Sequence, residues 1–258
     1  MHIIGIIPAR MNSTRFPGKP LAKILGKAMI YHVYRRSKMV KALGDVYIAT
    51  CDKAIEDYCQ KTGMNVIMTK NTHERASDRT SEAMEKIEKK NGKRVDIVAM
   101  IQGDEPMVYP EMIEESLGPF MEDDAIGVTN LMSVLESKEE HEDPNEIKVV
   151  VDKNNFALYF SRKAIPSCRQ STEKVKMYKQ VCIIPFRRDF LIKFNNLVPT
   201  LLEKAESIDM LRILENGYKV KMVPTKFRTY SVDTADDLSK VESLMKKDPL
   251  IKKYERAG

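Results

Sequence analysis

The chain has 258 residues, enough to bury one sizeable core, and its 43% hydrophobic and 31% charged content is that of an ordinary globular protein. Its 43 basic and 37 acidic residues leave a formal net charge of +6 that is mixed along the chain without aromatic interleaving, so no nucleic-acid partner is expected. No apolar run approaches the roughly 20 residues of a membrane span, and the first residues show no signal-peptide pattern, so a cytoplasmic protein with no membrane partner is expected.

Taken in chain order, a short apolar run predicts a first strand over 3–8, opening directly into a loop over 9–20. A helix over 29–41 leads to a strand over 45–50, and a helix over 53–62 closed by Gly63 leads to a strand over 65–68. A helix over 77–91 and a strand over 97–101 follow. Apolar runs separated by helices predict an α/β fold, three-layer α/β/α with a mainly parallel, Rossmann-like sheet. After about residue 110 the rhythm changes. Strands are expected over 126–136 and 146–151, and Asp152-Lys153-Asn154-Asn155 reads as a tight turn into a strand over 156–160. The stretch 167–179 has no clear period. A helix over 201–216 ending at Gly217, a strand over 219–223 and a final helix over 234–246 complete one expected domain over 1–258.

Cys51, Cys59, Cys168 and Cys182 lack C-x-x-C spacing, so neither a zinc site nor a disulfide framework is expected. The chemistry concentrates elsewhere. Arg10, Arg15 and Lys19 put three cations into one strand-exit loop that also contains Pro17, Gly18 and Pro20. Ligands of open α/β sheets bind outside the carboxyl ends of the strands, and a polyanion such as a nucleoside triphosphate suits such a loop. The loop is neither a Walker A sequence nor a G-x-G-x-x-G, so phosphate holding falls to side-chain cations. Asp104 follows the 97–101 strand with only Gln102 and Gly103 between. A carboxylate there would repel phosphates unless a cation such as Mg²⁺ bridged them. Asp233 is the natural second ligand, although an Asp just before a helix equally reads as an N-cap, as does Thr234. Asp236 and Asp237 read as first-turn acids. Gln102 suits a ribose or base edge, and Gly103 a close approach of the nucleotide. His73 reads as an exposed, idle loop histidine.

The segments Ile7-Pro8-Ala9-Arg10, Ser13-Thr14-Arg15, Pro17-Gly18-Lys19-Pro20-Leu21, Ile101-Gln102-Gly103-Asp104-Glu105-Pro106, Asp143-Pro144-Asn145, Tyr159-Phe160-Ser161-Arg162 and Val232-Asp233-Thr234 resemble, in order and spacing, the sugar nucleotidyltransferases. The nearest resemblance is to the CMP-sugar synthetases that activate 3-deoxy-manno-octulosonate (Kdo). That resemblance implies a nucleotide-diphospho-sugar-transferase fold, with about 150–200 forming a sugar-site and dimerisation subdomain of a homodimer. It implies CTP and an acidic sugar as substrates, Mg²⁺ as cofactor, and a product feeding lipopolysaccharide or another surface polysaccharide. Arg10, Arg15 and Lys19 would be the catalytic cations. Pro8, Ala9, Arg79 and Gln102 would join them around the nucleotide, and Asp104 and Asp233 would hold the metal. Arg162, Gln180 and Glu203 would meet the acceptor. The family's His-x-Gly-x-Tyr-Gly-Tyr pattern is replaced here by Gln180-Val181-Cys182-Ile183-Ile184-Pro185-Phe186, which leaves Kdo and a related acid both open as acceptor.

Overall fold

Seven consecutive buried residues form β1, Ile3–Ala9. A strand with no exposed alternate position is covered on both faces, as in a parallel sheet flanked by helices. In this computed structural model, which describes residues 1–12, 16–167 and 175–255, the chain divides into two units, Met1–Glu114 with Thr229–Gly258, and Glu115–Arg228.

In the first unit a 3₁₀ turn, Lys19–Leu21, and a short hairpin of β2 (Lys23–Ile24) and β3 (Lys27–Ala28) lead into α1 (Met29–Ser37). Then come β4 (Asp45–Thr50), α2 (Lys53–Lys61), β5 (Val66–Met68), α3 (Ala76–Asn91) and β6 (Ile97–Ile101), and the division between the units falls within α4 (Pro110–Leu117). The strands lie in the order β6-β1-β4-β5 and all of these pairs are parallel. Ile6 of β1 is in register with Met100 of β6 and Tyr47 of β4, so the loops leaving these strands emerge at one edge. The expected parallel α/β architecture is what the chain forms.

The second unit contains α5 (Pro119–Glu122), β7 (Thr129–Val134), α6 (Lys138–Glu142), β8 (Lys148–Val151), β9 (Ala157–Ser161), β10 (Tyr178–Val181), β11 (Ile183–Arg187), α7 (Arg188–Asn195), α8 (Leu201–Glu206), α9 (Met210–Glu215) and β12 (Lys221–Pro224). Its sheet runs β12-β7-β10-β8-β9, parallel only between β12 and β7. The expected 152–155 turn is present: the Asp152 carboxylate accepts from the amides of Asn154 and Phe156, both at 2.8 Å. The single helix expected over 201–216 is two helices. Ser207 takes a left-handed conformation (φ 54°), and the Glu203 carboxylate accepts two bonds from the Arg212 guanidinium, at 2.7 and 2.6 Å. That buried pair clamps α8 to α9 across the break.

The chain then returns to the first unit as α10 (Ala235–Met245) and α11 (Pro249–Glu255). The helix expected to be final therefore has a successor, and charge anchors it. Asp248, 2% exposed at its side chain, pairs with Arg36 on α1, whose side chain is 0% exposed. On α11 the Tyr254 hydroxyl lies 2.8 Å from Nδ1 of His32, whose Nε2 is 2.8 Å from the Ile24 carbonyl. A carbonyl only accepts, so Nε2 carries the proton and Nδ1 accepts from the tyrosine. Burial pushes His32 down to about 4, keeping it neutral. Among the described residues Cys51, Cys59 and Cys182 are not joined in disulfides, while Cys168 lies outside the described residues. Among the described residues no helix is long and apolar enough to cross a membrane.

Two stability predictions follow from this anchor. Asp248→Ala leaves the Arg36 charge buried without its carboxylate and is expected to cost about 3–5 kcal/mol in urea unfolding. His32 titrates lower folded than unfolded, so its stabilisation is complete above about pH 6.5 and is lost as pH falls towards 4. Between pH 7 and pH 5 the wild type is expected to lose about 2 kcal/mol more than a His32→Gln variant, measured by urea unfolding at both pH values.

Candidate active site

The strand-exit loop is held by polar bonds rather than by a glycine cradle. The amide of Met11 donates to the Asp52 carboxylate at 2.8 Å, fastening the loop to the start of α2. Gly18, at φ 74°, turns the chain in a conformation that a side chain would strain, and its amide donates to the Met11 carbonyl at 3.0 Å. Lys19 begins the 3₁₀ turn immediately afterwards.

Its ammonium is the centre of the site. Lys19 Nζ lies 2.7 Å from Asp104 Oδ2 and 3.1 Å from Asp233 Oδ1. Burial pulls the Lys19 pKa down, but Asp104 and then Asp233 outweigh it and hold the ammonium above its ordinary value. The two carboxylates, 129 positions apart in sequence, are brought together by a backbone bond from the Val232 amide to the Asp104 carbonyl at 2.9 Å. Asp233 is not the helix cap. Thr234 Oγ1 accepts from the Asp237 amide at 3.2 Å, and the Asp237 carboxylate accepts from the amides of Thr234 and Asp233 at 2.9 and 3.1 Å. The cap is supplied by Thr234 and Asp237, and the Asp233 carboxylate bonds Lys19. The paired cap residue Asp237 is correspondingly held below the usual carboxylate range, its bonds to Thr234 and the backbone overriding burial.

Around this cluster is a cavity of about 400 Å³ at the carboxyl edge of the parallel strands. It gathers Pro8, Ala9, Arg10, Lys19, Arg79, Gln102, Asp104 and Asp233, eight of the residues singled out from the sequence. Arg15 lies outside the described residues. Gly103 also lines the cavity, yet the closest neighbour of an added Cβ would be the Pro8 carbonyl at 3.3 Å. A side chain there would crowd the backbone of β1.

The loop between β5 and α3 forms one wall. Arg79 is 3% exposed and bonds Thr69 Oγ1. His73, expected to be exposed and idle, lines the cavity with its side chain only 18% exposed, and its Nε2 bonds the Glu82 carboxylate. Burial pushes Glu82 up, but Lys86, the Lys70 amide and His73 together bring it down to about 2. The only sequence signal for His73 and Asp52 is a polar residue after a strand, which many surface loops share, and Glu82 is one of several acids along α3.

Arg162, Gln180 and Glu203 fall in the second unit. The Arg162 Nε and Nη1 donate to the carbonyls of Glu206 and Pro144, at 2.8 and 3.0 Å. Gln180 Nε2 donates to Asn130 Oδ1 at 2.6 Å. Glu203 is fully buried and its carboxylate is committed to Arg212 and to the Thr200 amide, which is a structural assignment.

An open parallel sheet with a cationic loop and a carboxylate pair at its carboxyl edge defines a nucleotide-handling site of the nucleotidyltransferase class. The family comparison agrees with that class: the cytidylyltransferase family matches residues 4–248, and the chain belongs to it. The 3-deoxy-manno-octulosonate cytidylyltransferase of Geobacter metallireducens is 41% identical over 251 residues, covering 93% of this chain and 96% of its own. That of Geotalea uraniireducens is 39% identical over 257 residues, covering 96% and 100%. A solved CMP:2-keto-3-deoxy-manno-octonic acid synthetase, in complex with CTP, superposes with a TM-score of 0.88 at 39% identity, over 96% of this chain and 99% of its own.

The division of labour at α10 is testable. Thr234→Ala removes the cap and is expected to lower stability by about 1 kcal/mol in urea unfolding, with the far-UV spectrum otherwise unchanged.

Proposed function

We propose that the chain transfers CMP from CTP to 3-deoxy-manno-octulosonate, releasing pyrophosphate. The observation that carries this reading is the meeting of Lys19, Asp104 and Asp233 in one cavity with Arg10, Arg79 and Gln102. The names of the curated relatives and the CTP complex of the solved synthetase support the choice of substrates.

A sugar hydroxyl attacks the α-phosphorus of CTP, losing its proton to water and forming the new O–P bond as the bond from the α-phosphorus to the oxygen bridging to the β-phosphate breaks. The pair of electrons leaves with pyrophosphate. Negative charge grows on the leaving group, and preorganised cations lower the barrier by neutralising it without reorganising. Arg10 and Lys19 are the cavity's cations on the strand-exit loop, and Arg15 belongs to the same loop in sequence. Arg offers a planar fork to phosphate oxygens and Lys a mobile point charge. Gln102 can donate and accept to the nucleoside, and Arg79 fixes the loop that walls it. Arg162 is the guanidinium proposed to pair with the acceptor carboxylate.

The residues present fit Mg²⁺. Asp104 and Asp233 already converge on one cation, the Lys19 ammonium. Two carboxylates without a larger cage match an ion that keeps several waters and takes phosphate oxygens; among the described residues no group of three or more metal-ligating side chains gathers. Bound there, Mg²⁺ would supply Lewis-acid polarisation of the phosphate oxygens and acidify the attacking hydroxyl.

The test is a nucleotide-by-acceptor matrix read by pyrophosphate release and product mass. CTP with Kdo is expected to give CMP-Kdo, and Asp104→Ala to lower kcat/KM by about 100–1,000-fold with the fold intact. Absence of turnover with CTP and any acidic sugar would overturn the reading.

A further inference from the structure

We propose that Lys19 is an exchangeable counter-ion: its ammonium holds the divalent-cation seat between Asp104 and Asp233 until nucleotide arrives, and then passes from the carboxylates to the phosphates. This rests on the function proposed above and adds an order of events to that site.

Lys19 Nζ bonds both carboxylates, and its side chain is 13% exposed against 29% and 24% for theirs. A Mg²⁺ ion bonds carboxylate oxygen at about 2.0–2.1 Å, so an ion shared by the same two oxygens would take the gap the ammonium fills. The two cations exclude each other. The backbone of Lys19 cannot give way: Gly18 is in its left-handed turn, the Lys19 amide donates to the Phe16 carbonyl at 3.2 Å, and its carbonyl accepts from Ala22 at 3.1 Å. Only the four-carbon stem can swing, and a lysine ammonium is a point charge that needs no fixed bond geometry.

Without nucleotide, an entering divalent ion must break two ion pairs and leave a half-buried ammonium beside a doubly charged neighbour. With a triphosphate in the cavity, the displaced ammonium exchanges two carboxylates for phosphate oxygens. The protein by itself therefore binds the metal weakly, and each ligand tightens the other. By linkage that coupling is the same free energy read from either ligand. With its own lysine in place the carboxylate pair carries one net negative charge instead of two, which weakens its internal repulsion and its repulsion of an arriving triphosphate before the metal is in place.

The experiment is a Mn²⁺ titration followed by the electron paramagnetic resonance of free Mn²⁺, without nucleotide and then with saturating CTP corrected against a CTP–Mn²⁺ blank. Wild type is compared with Lys19→Met and Lys19→Gln, each checked for folding by circular dichroism; the glutamine variant serves if the methionine variant misfolds. Without nucleotide, the variants are expected to bind Mn²⁺ at least about ten-fold tighter than wild type, because nothing competes for the seat. Adding Asp104→Asn to the Lys19→Met variant is expected to abolish that gain. With CTP present, wild type is expected to gain more Mn²⁺ affinity than either variant. Lysine variants that bind Mn²⁺ no tighter than wild type, or a gain that survives Asp104→Asn, would overturn the exchange. If CTP and Mn²⁺ still bind and turn over in wild type, the exchange alone falls. If wild type binds no CTP at all, the proposed function falls with it.

Discussion

One ammonium between two carboxylates organises this molecule's chemistry. Lys19 comes from the first strand-exit loop, Asp104 from the turn after β6, and Asp233 from the residue before the cap of α10. Like charges such as these two carboxylates are brought to one point only if a cation compensates them, and here the chain supplies its own. Everything else in the first unit can be understood as what it takes to deliver those three side chains to one place.

Adjacency in the sheet does most of this. Because β1 and β6 are parallel neighbours, the loops that follow them leave from the same edge, which puts Arg10 and Lys19 around the same cavity as Gln102 and Asp104. The third segment, with the second carboxylate, is attached by a backbone bond from Val232 to Asp104, and Thr234 and Asp237, not Asp233, satisfy the first turn of α10. Asp52 holds the start of the strand-exit loop at Met11, and the Glu82 carboxylate holds the β5–α3 wall through His73 and the Lys70 amide.

The second unit places its predicted acceptor residues by buried charge. Lys148 is 0% exposed, and its ammonium donates to the carbonyls of Asp143, Glu146 and Arg162 at 2.7, 2.5 and 2.7 Å. Burial lowers its pKa, and the carbonyls supply the compensating dipoles. The knot ties the Asp143–Glu146 turn, which contains Pro144 and Asn145, to the backbone of Arg162. Arg162 then returns a bond to the Pro144 carbonyl. Glu203 belongs to a different device, the clamp with Arg212, which explains its acidic identity without an acceptor.

Periodicity and punctuation in the sequence were enough for the parallel half. The strands at 45–50 and 97–101 have the bounds their apolar runs predict, and the strand-exit cations and both aspartates were visible as residue types at strand and helix ends. The motifs carried the family as well. Three things were decided only by tertiary structure. The 201–216 pattern is continuous in period, and it breaks at Ser207 because a buried Glu203–Arg212 pair folds one helix back on the other. The last helix, Pro249–Glu255, is held by Arg36 and His32, more than 200 positions away, which no local window contains. The choice between Asp233 and Thr234 as helix cap was undecidable locally, since either side chain can accept from an amide. A backbone hydrogen bond from Val232 to Asp104 turned Asp233 towards the lysine, and long-range pairing of that kind is a property of the folded chain alone.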